Sequence, residues 1–204
     1  MLGLIGCVGG CEPSGAPVDS ACASCRSARL GNLWCEKCGI GYVASTPMRS
    51  RALFEALDAH GHSLVLDAIR CDTCRAAIPV DGYCRACRIG WFEGQAYFSR
   101  LTHVIGKVQV LKDDAMACEV CVQNARKCGW CASCQRGMIG NFAIHDRKEF
   151  DAGRRGYDIM LIAIEASGRC ETCALAIITD TPCPVCRITY KDGRPVPADT
   201  GKRS

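Results

Sequence analysis

The chain contains no run of 18 or more apolar residues, so no segment is long enough to read as a membrane-spanning helix. It has no H-E-x-x-H, no G-x-S-x-G and no Walker-type loop, which removes the common signatures of zinc proteases, serine hydrolases and phosphate-binding folds. No C-x-x-C pair is followed directly by histidine, which excludes c-type haem attachment. Histidine is scarce: His60, His62, His103 and His145, all between the cysteine clusters, read as solvated helix ends. His60-Gly61-His62 would need outside ligands to hold a metal.

Cysteine, by contrast, is abundant, with 19 in 204 residues. Sixteen fall into four copies of one pattern, two C-x-x-C pairs separated by nine residues. The quartets are Cys22, Cys25, Cys35, Cys38; Cys71, Cys74, Cys84, Cys87; Cys118, Cys121, Cys131, Cys134; and Cys170, Cys173, Cys183, Cys186. Each C-x-x-C offers two thiolates from one tight turn, and nine residues suffice for a hairpin that returns the second pair to the first. Four sulfurs then surround one ion tetrahedrally, the geometry of a closed structural zinc site. The gaps between quartets vary while the nine-residue gap does not, which favours ligation within each quartet. Four complete sulfur sets leave no open coordination position for catalysis.

The formal charge of +4 invites a nucleic-acid reading. Four Zn(Cys)₄ centres, each about −2, would bring it to roughly −4. Arg26, Arg29, Arg75, Arg85, Arg88, Arg126, Lys127 and Arg187 flank the cysteines. With Trp34, Tyr83 and Trp130 they could contact phosphates and bases, or simply neutralise the thiolates, and the second use is preferred.

Other positions repeat with the cysteines. Ala28, Ala77, Asn124 and Ala176 lie three residues past the second cysteine. Trp34, Tyr83, Trp130 and Pro182 precede the third. Asn32, Asp81, Cys128 and Asp180 occupy a position suited to a hairpin turn. Cys128 is thus read as a spare thiol, although Cys128-x-x-Cys131-x-x-Cys134 has an iron–sulfur-like spacing. Alternating large residues after each fourth cysteine predict an exiting strand.

The connectors predict helices. The first starts at Ser45-Thr46-Pro47, buries Leu53, Phe54 and Leu57, and ends at Gly61. The second carries Tyr97, Phe98, Leu101, Val104 and Ile105 at helical spacing. The third is a short helix at Arg147 to Phe150, broken around Gly153 and Gly156. Apolar runs Leu64–Ile69, Val108–Leu111 and Ile159–Ile164 read as strands entering the next quartet, the last with helix as the alternative. The predicted organisation is a tail (1–21), ribbon-plus-connector units (22–70, 71–117, 118–169), a last ribbon (170–194) and a disordered end (195–204), with the units packed as an array.

The sixteen cysteines and their flanking strands resemble the zinc-ribbon group, in which two cysteine knuckles on facing hairpin turns grip one Zn²⁺. That resemblance implies a small metal-bound α+β fold of four tandem Cys₄ ribbons joined by helix–strand connectors. Cys35-Glu36-Lys37-Cys38-Gly39 and Cys183-Pro184-Val185-Cys186 also resemble rubredoxin knuckles, which would hold iron. Only Gly39 matches the glycine expected after the last cysteine, which weakens the iron reading.

The expected function is a non-enzymatic zinc scaffold that binds another protein. Redox or metal handling with Fe(Cys)₄ sites, and nucleic-acid binding, are the alternatives. Leu4-Ile5-Gly6-Cys7 is similar to a bacterial lipobox, so Cys7 would be a lipid anchor in an envelope protein if the true start lay upstream; otherwise the chain would be cytoplasmic. Cys11 is then a further thiol, or Cys7 and Cys11 form a weaker metal pair.

Overall fold

The structure, a computed structural model, describes residues 22–108, 111 and 117–196. Cys7, Cys11 and the lipobox-like segment lie outside the described residues, as do Gln109 and Val110. In the first unit, α1 (Ala23–Gly31) leads into β1 (Trp34–Cys35), β2 (Ile40–Val43), β3 (Thr46–Met48) and α2 (Arg51–Ala56). A short β4 (His62–Ser63) precedes the second unit: α3 (Asp72–Ala77), β5 (Tyr83–Cys84), β6 (Ile89–Phe92), β7 (Gln95–Tyr97) and α4 (Arg100–Gly106). The third has α5 (Glu119–Lys127), β8 (Trp130–Cys131), β9 (Arg136–Ile139), β10 (Phe142–Ile144) and α6 (Arg147–Ser167). The fourth has α7 (Glu171–Thr179), β11 (Thr189–Lys191) and β12 (Arg194–Val196).

The nine residues inside each quartet are therefore mainly helix, which corrects the hairpin expectation. In all four units the first cysteine is the helix N-cap and the second lies three residues on, in the first turn. The helix ends in a left-handed residue at Asn32 (φ 52°), Cys128 (48°) or Asp180 (54°), and in unit 2 a 3₁₀ turn (Ile78–Val80) follows α3 before the left-handed Asp81 (50°). The next amide returns to the carbonyl of the repeated small residue: Leu33 to Ala28, Gly82 to Ala77, Gly129 to Asn124 and Thr181 to Ala176. These bonds occupy carbonyls that the helix end would otherwise leave without a partner.

In three units the left-handed residue also clasps the following hairpin. Asn32, Asp81 and Asp180 each accept, through Oδ1, a hydrogen bond of 2.9 Å from the backbone N–H of Ala44, Glu93 and Asp192 respectively. The Cys128 side chain carries no oxygen with which to make this bond. The expected exit strands are present as β2, β6, β9 and β11, each pairing antiparallel with the strand after it.

The connectors differ from expectation in several places. Thr46 and Pro47 lie in β3, and α2 starts later, where Ser50 caps it by accepting from the Leu53 N–H at 3.0 Å. Helix α2 ends at Ala56, well before Gly61. Tyr97 ends β7, and only Leu101, Val104 and Ile105 of the second pattern are helical. Leu66–Ala68 is a turn of 3₁₀-helix instead of a strand. Pro195 and Val196, expected in a disordered end, pair with Tyr190 and Thr189.

The largest departure is α6, a continuous 21-residue helix that includes Gly153, Gly156 and Ile159–Ile164. The glycines do not break it; they let α4 come close. A Cβ at Gly156 would lie 2.7 Å from the Leu101 amide nitrogen, and one at Gly153 would lie 3.0 Å from Val104.

The units are not a linear array. Helices α2, α4 and α7 all pack on α6, and one apolar core draws Leu53 and Leu57, Leu101 and Ile105, Phe150 and Met160, and Ala174 and Ile177 from the four units. Four small cysteine-lined clusters surround this shared centre. Unit 1 meets unit 3 where Ser45 Oγ donates to Asn141 Oδ1 (2.8 Å) and the Thr46 and Tyr157 hydroxyls lie 2.7 Å apart. Unit 2 meets unit 4 through an ion pair of Arg88 with Asp180.

Candidate metal centres

Each quartet brings its four sulfurs together, all within 4.8 Å of one another. Cys22–Cys35, Cys71–Cys84 and Cys118–Cys131 sulfurs are 4.0, 3.8 and 3.9 Å apart. The edge of a tetrahedron with ~2.3 Å metal–sulfur bonds is about 3.8 Å. A disulfide requires ~2.05 Å, and none of the described cysteines is in one. Each set could thus hold one ion, and zinc suits four thiolates. Cys128 lies outside all four sets and is buried at the end of α5.

The two halves of a centre are built differently. The first pair uses a helix N-terminus. The Cys173 N–H donates to Cys170 Sγ at 3.4 Å, and the corresponding backbone amide lowers Cys22, Cys71, Cys118 and Cys170 to about 7. The second pair is a knuckle, where the Cys87 and Cys186 N–H groups donate to Cys84 and Cys183 sulfurs at 3.3 and 3.4 Å. At the other end of each set the last cysteine is shifted the opposite way, upward. Cys38, Cys134 and Cys186 are pushed up to about 12, because their thiols donate to the neighbouring sulfurs, Cys25, Cys118 and Cys173 foremost. The residue after the knuckle has positive φ in every unit: Gly39 (62°), Arg88 (58°), Gln135 (50°) and Arg187 (59°). The backbone geometry is common to all four even though the glycine is not.

A donor stands beside the second cysteine of each set. In unit 3, Arg136 Nε donates to Cys121 Sγ at 3.2 Å. In unit 4 the Tyr190 hydroxyl is pushed up to about 12, first by its hydrogen bond to Cys173 and then by burial. The Tyr42 hydroxyl and the Trp91 indole N–H are buried without a partner in good hydrogen-bond geometry, and each lies beside a sulfur, Cys25 or Cys74. A thiolate there would give these orphaned donors an acceptor, as metal-bound cysteine does. This is the local observation that fits the sulfur sets to a cation.

Of the flanking arginines, Arg88 reaches the Tyr83 hydroxyl. The ring before the third cysteine is engaged by the connector helix. Arg51 lies over Trp34 (4.9 Å to the centroid), Arg100 over Tyr83 (4.7 Å) and Arg147 over Trp130 (5.1 Å). Phe54, His103 and Phe150, three residues further on, pack against the same rings at 5.4, 5.8 and 5.6 Å. Gly41, Gly90 and Gly137 make room for them, since a Cβ would come within 2.0–2.5 Å of that second ring.

His103 is fully buried, contrary to the solvated reading. Its Nε2 lies 3.0 Å from the Trp91 carbonyl and 3.2 Å from that of Asp81, and Arg100 Nη1 faces Nδ1 at 3.3 Å. Two carbonyl acceptors and one cationic donor select the neutral imidazole with its proton on Nε2. Burial, then Lys107, lowers its pKa to about 4. His60 and His145 are exposed, and His60 pairs with Asp58. His62 packs on Phe98 at 4.6 Å. His60 and His62 line a cleft of about 370 Å³, but no set of three or more metal-ligating groups forms there among the described residues.

No protein-family model, curated protein or solved structure matches the chain. Among the described residues, no helix is long and apolar enough to cross a membrane.

Proposed function

We propose that the chain is a non-enzymatic scaffold whose four Cys₄ sets hold zinc, and whose surface serves contact with another protein. The observation that carries the metal reading is the closeness of four sulfurs in each set, at tetrahedral-edge spacing and with backbone or side-chain donors on the sulfur. Every set supplies four protein ligands, so zinc here stabilises the fold and offers no site for substrate. The contact role is supported by Leu64, Val65 and Leu66, an exposed apolar run directly after edge strand β4.

Elemental analysis of protein purified without added metal tests the reading. Four zinc per chain, a colourless solution and little iron are expected. A visible iron–thiolate absorption with stoichiometric iron would overturn it in favour of electron transfer.

A further inference from the structure

The four centres share a fold but not a surface. The fourth cysteine is exposed in two of them, Cys87 and Cys186, and only partly exposed in the others, Cys38 and Cys134. The knuckle tips differ in the same way. In unit 1, Glu36 is held by Arg51 at 2.8 Å, which ties the tip to α2. In unit 3, Gln135 Nε2 donates across the tip to the Ala132 carbonyl at 2.6 Å. At Arg85-Ala86 and Pro184-Val185 no such bond occurs among the described residues, and Val185 is 69% exposed. In unit 3 a cation also sits on sulfur, Arg136 on Cys121.

From these differences, and resting on the zinc reading above, we propose that the centres are of two kinds. Those of Cys71–Cys87 and Cys170–Cys186 exchange their metal with outside thiol ligands, while those of Cys22–Cys38 and Cys118–Cys134 retain theirs. The exchange is a ligand substitution. An incoming thiol gives its proton to the departing Cys87 or Cys186 sulfur, and its own sulfur takes that ligand position; the same swap at the other three sulfurs carries the ion away, and the reverse sequence binds the next. No electrons move. A guanidinium on Cys121 holds electron density on that sulfur and makes it a poorer base and nucleophile, which opposes the same step in unit 3.

The two open centres are joined. Arg88, directly after Cys87, pairs with Asp180, whose other oxygen clasps the Asp192 N–H of unit 4. Loosening the Cys87 knuckle therefore removes a contact that helps to order unit 4, and opening of one centre favours opening of the other.

The test uses the full zinc-loaded chain incubated with reduced glutathione and isotopically distinct zinc. Native mass spectrometry counts exchanged ions, and a brief maleimide pulse with peptide mapping locates the freed thiols. Two ions should exchange about 10–100-fold faster than the other two, with label first on Cys87 and Cys186. Arg136→Gln should speed labelling of the Cys118–Cys134 set roughly tenfold, and Arg88→Gln should make the two fast ions exchange independently. Four ions exchanging in one phase, or first label on Cys38 or Cys134, would overturn the proposal while leaving the zinc scaffold intact. A chain purified without zinc would instead overturn the scaffold reading itself.

Discussion

Arg100 bridges two units through Glu149: its Nη2 lies 3.0 Å from both carboxylate oxygens, while its guanidinium carbon covers the Tyr83 ring. Both partners are about a third exposed or less. A double-mutant cycle of Arg100→Ala and Glu149→Ala should therefore give a coupling energy of about 1 kcal/mol, above that of an isolated surface pair. A value near zero by denaturant unfolding would mean that Arg100 acts through the ring alone.

The close approach of α4 and α6 makes Gly156 intolerant. Alanine is ordinarily the better helix residue by ~1 kcal/mol, but here its Cβ would press on the backbone of Leu101. Gly156→Ala should destabilise by about 1–3 kcal/mol. Gly168→Ala, whose Cβ meets nothing closer than 3.6 Å, should be neutral or slightly stabilising. Chemical denaturation of the two variants against the parent checks the sign of each.

His103 predicts an acid-sensitive step. A histidine in the unfolded chain titrates near 6.5, whereas the buried one does so at about 4. Above about pH 6.5 both states are neutral and stability is full. As pH falls toward 4, the unfolded chain binds a proton that the folded chain refuses, and stability drops by up to about 3 kcal/mol at ~1.4 kcal/mol per unit. Thiolate protonation also acts in this range, so the readout is a difference. His103→Phe, the residue used in two sibling units, should show a shallower fall in unfolding free energy between pH 6.5 and 4. Identical slopes would contradict the buried neutral assignment.

Cys128 should prove dispensable for metal. Cys128→Asn keeps a residue that tolerates the left-handed conformation and should leave zinc content at the parental value, whereas Cys131→Ser should lose one equivalent. Loss of zinc from the Cys128 variant, by elemental analysis, would place its sulfur in the third centre.

The shared core sets how the chain comes apart. Its side chains come from all four units, so removing metal should abolish the helical circular dichroism signal in one cooperative transition, without separate steps for each unit. Full retention of the spectrum after chelation would show that the sulfur sets do not hold the fold.

Much of the site was legible in the sequence because C-x-x-C spacing is a direct statement of ligand geometry. The helix between the two pairs was not. Asn32, Asp81 and Asp180 suit a left-handed position, which hairpin turns and helix C-caps both use, so the same residues signalled the wrong element. Gly153 and Gly156 read as breakers because one chain cannot show that another helix needs the space. Ile159–Ile164 is apolar on every side, and a buried helix and a buried strand look alike over six residues. The aromatic pairs were visible in principle: Arg51, Arg100 and Arg147 each stand 16 residues past the third cysteine, with Phe54, His103 and Phe150 three later. Extending the repeat beyond the cysteines would have found them.

Zinc K-edge X-ray absorption of the purified chain addresses the coordination itself. A shell of four sulfurs at ~2.3 Å per zinc, with no nitrogen or oxygen contribution, is the expected spectrum. A mixed shell, or a chain that carries no zinc and whose mass shows its cysteines oxidised in pairs, would contradict the assignment of these sulfurs as ligands.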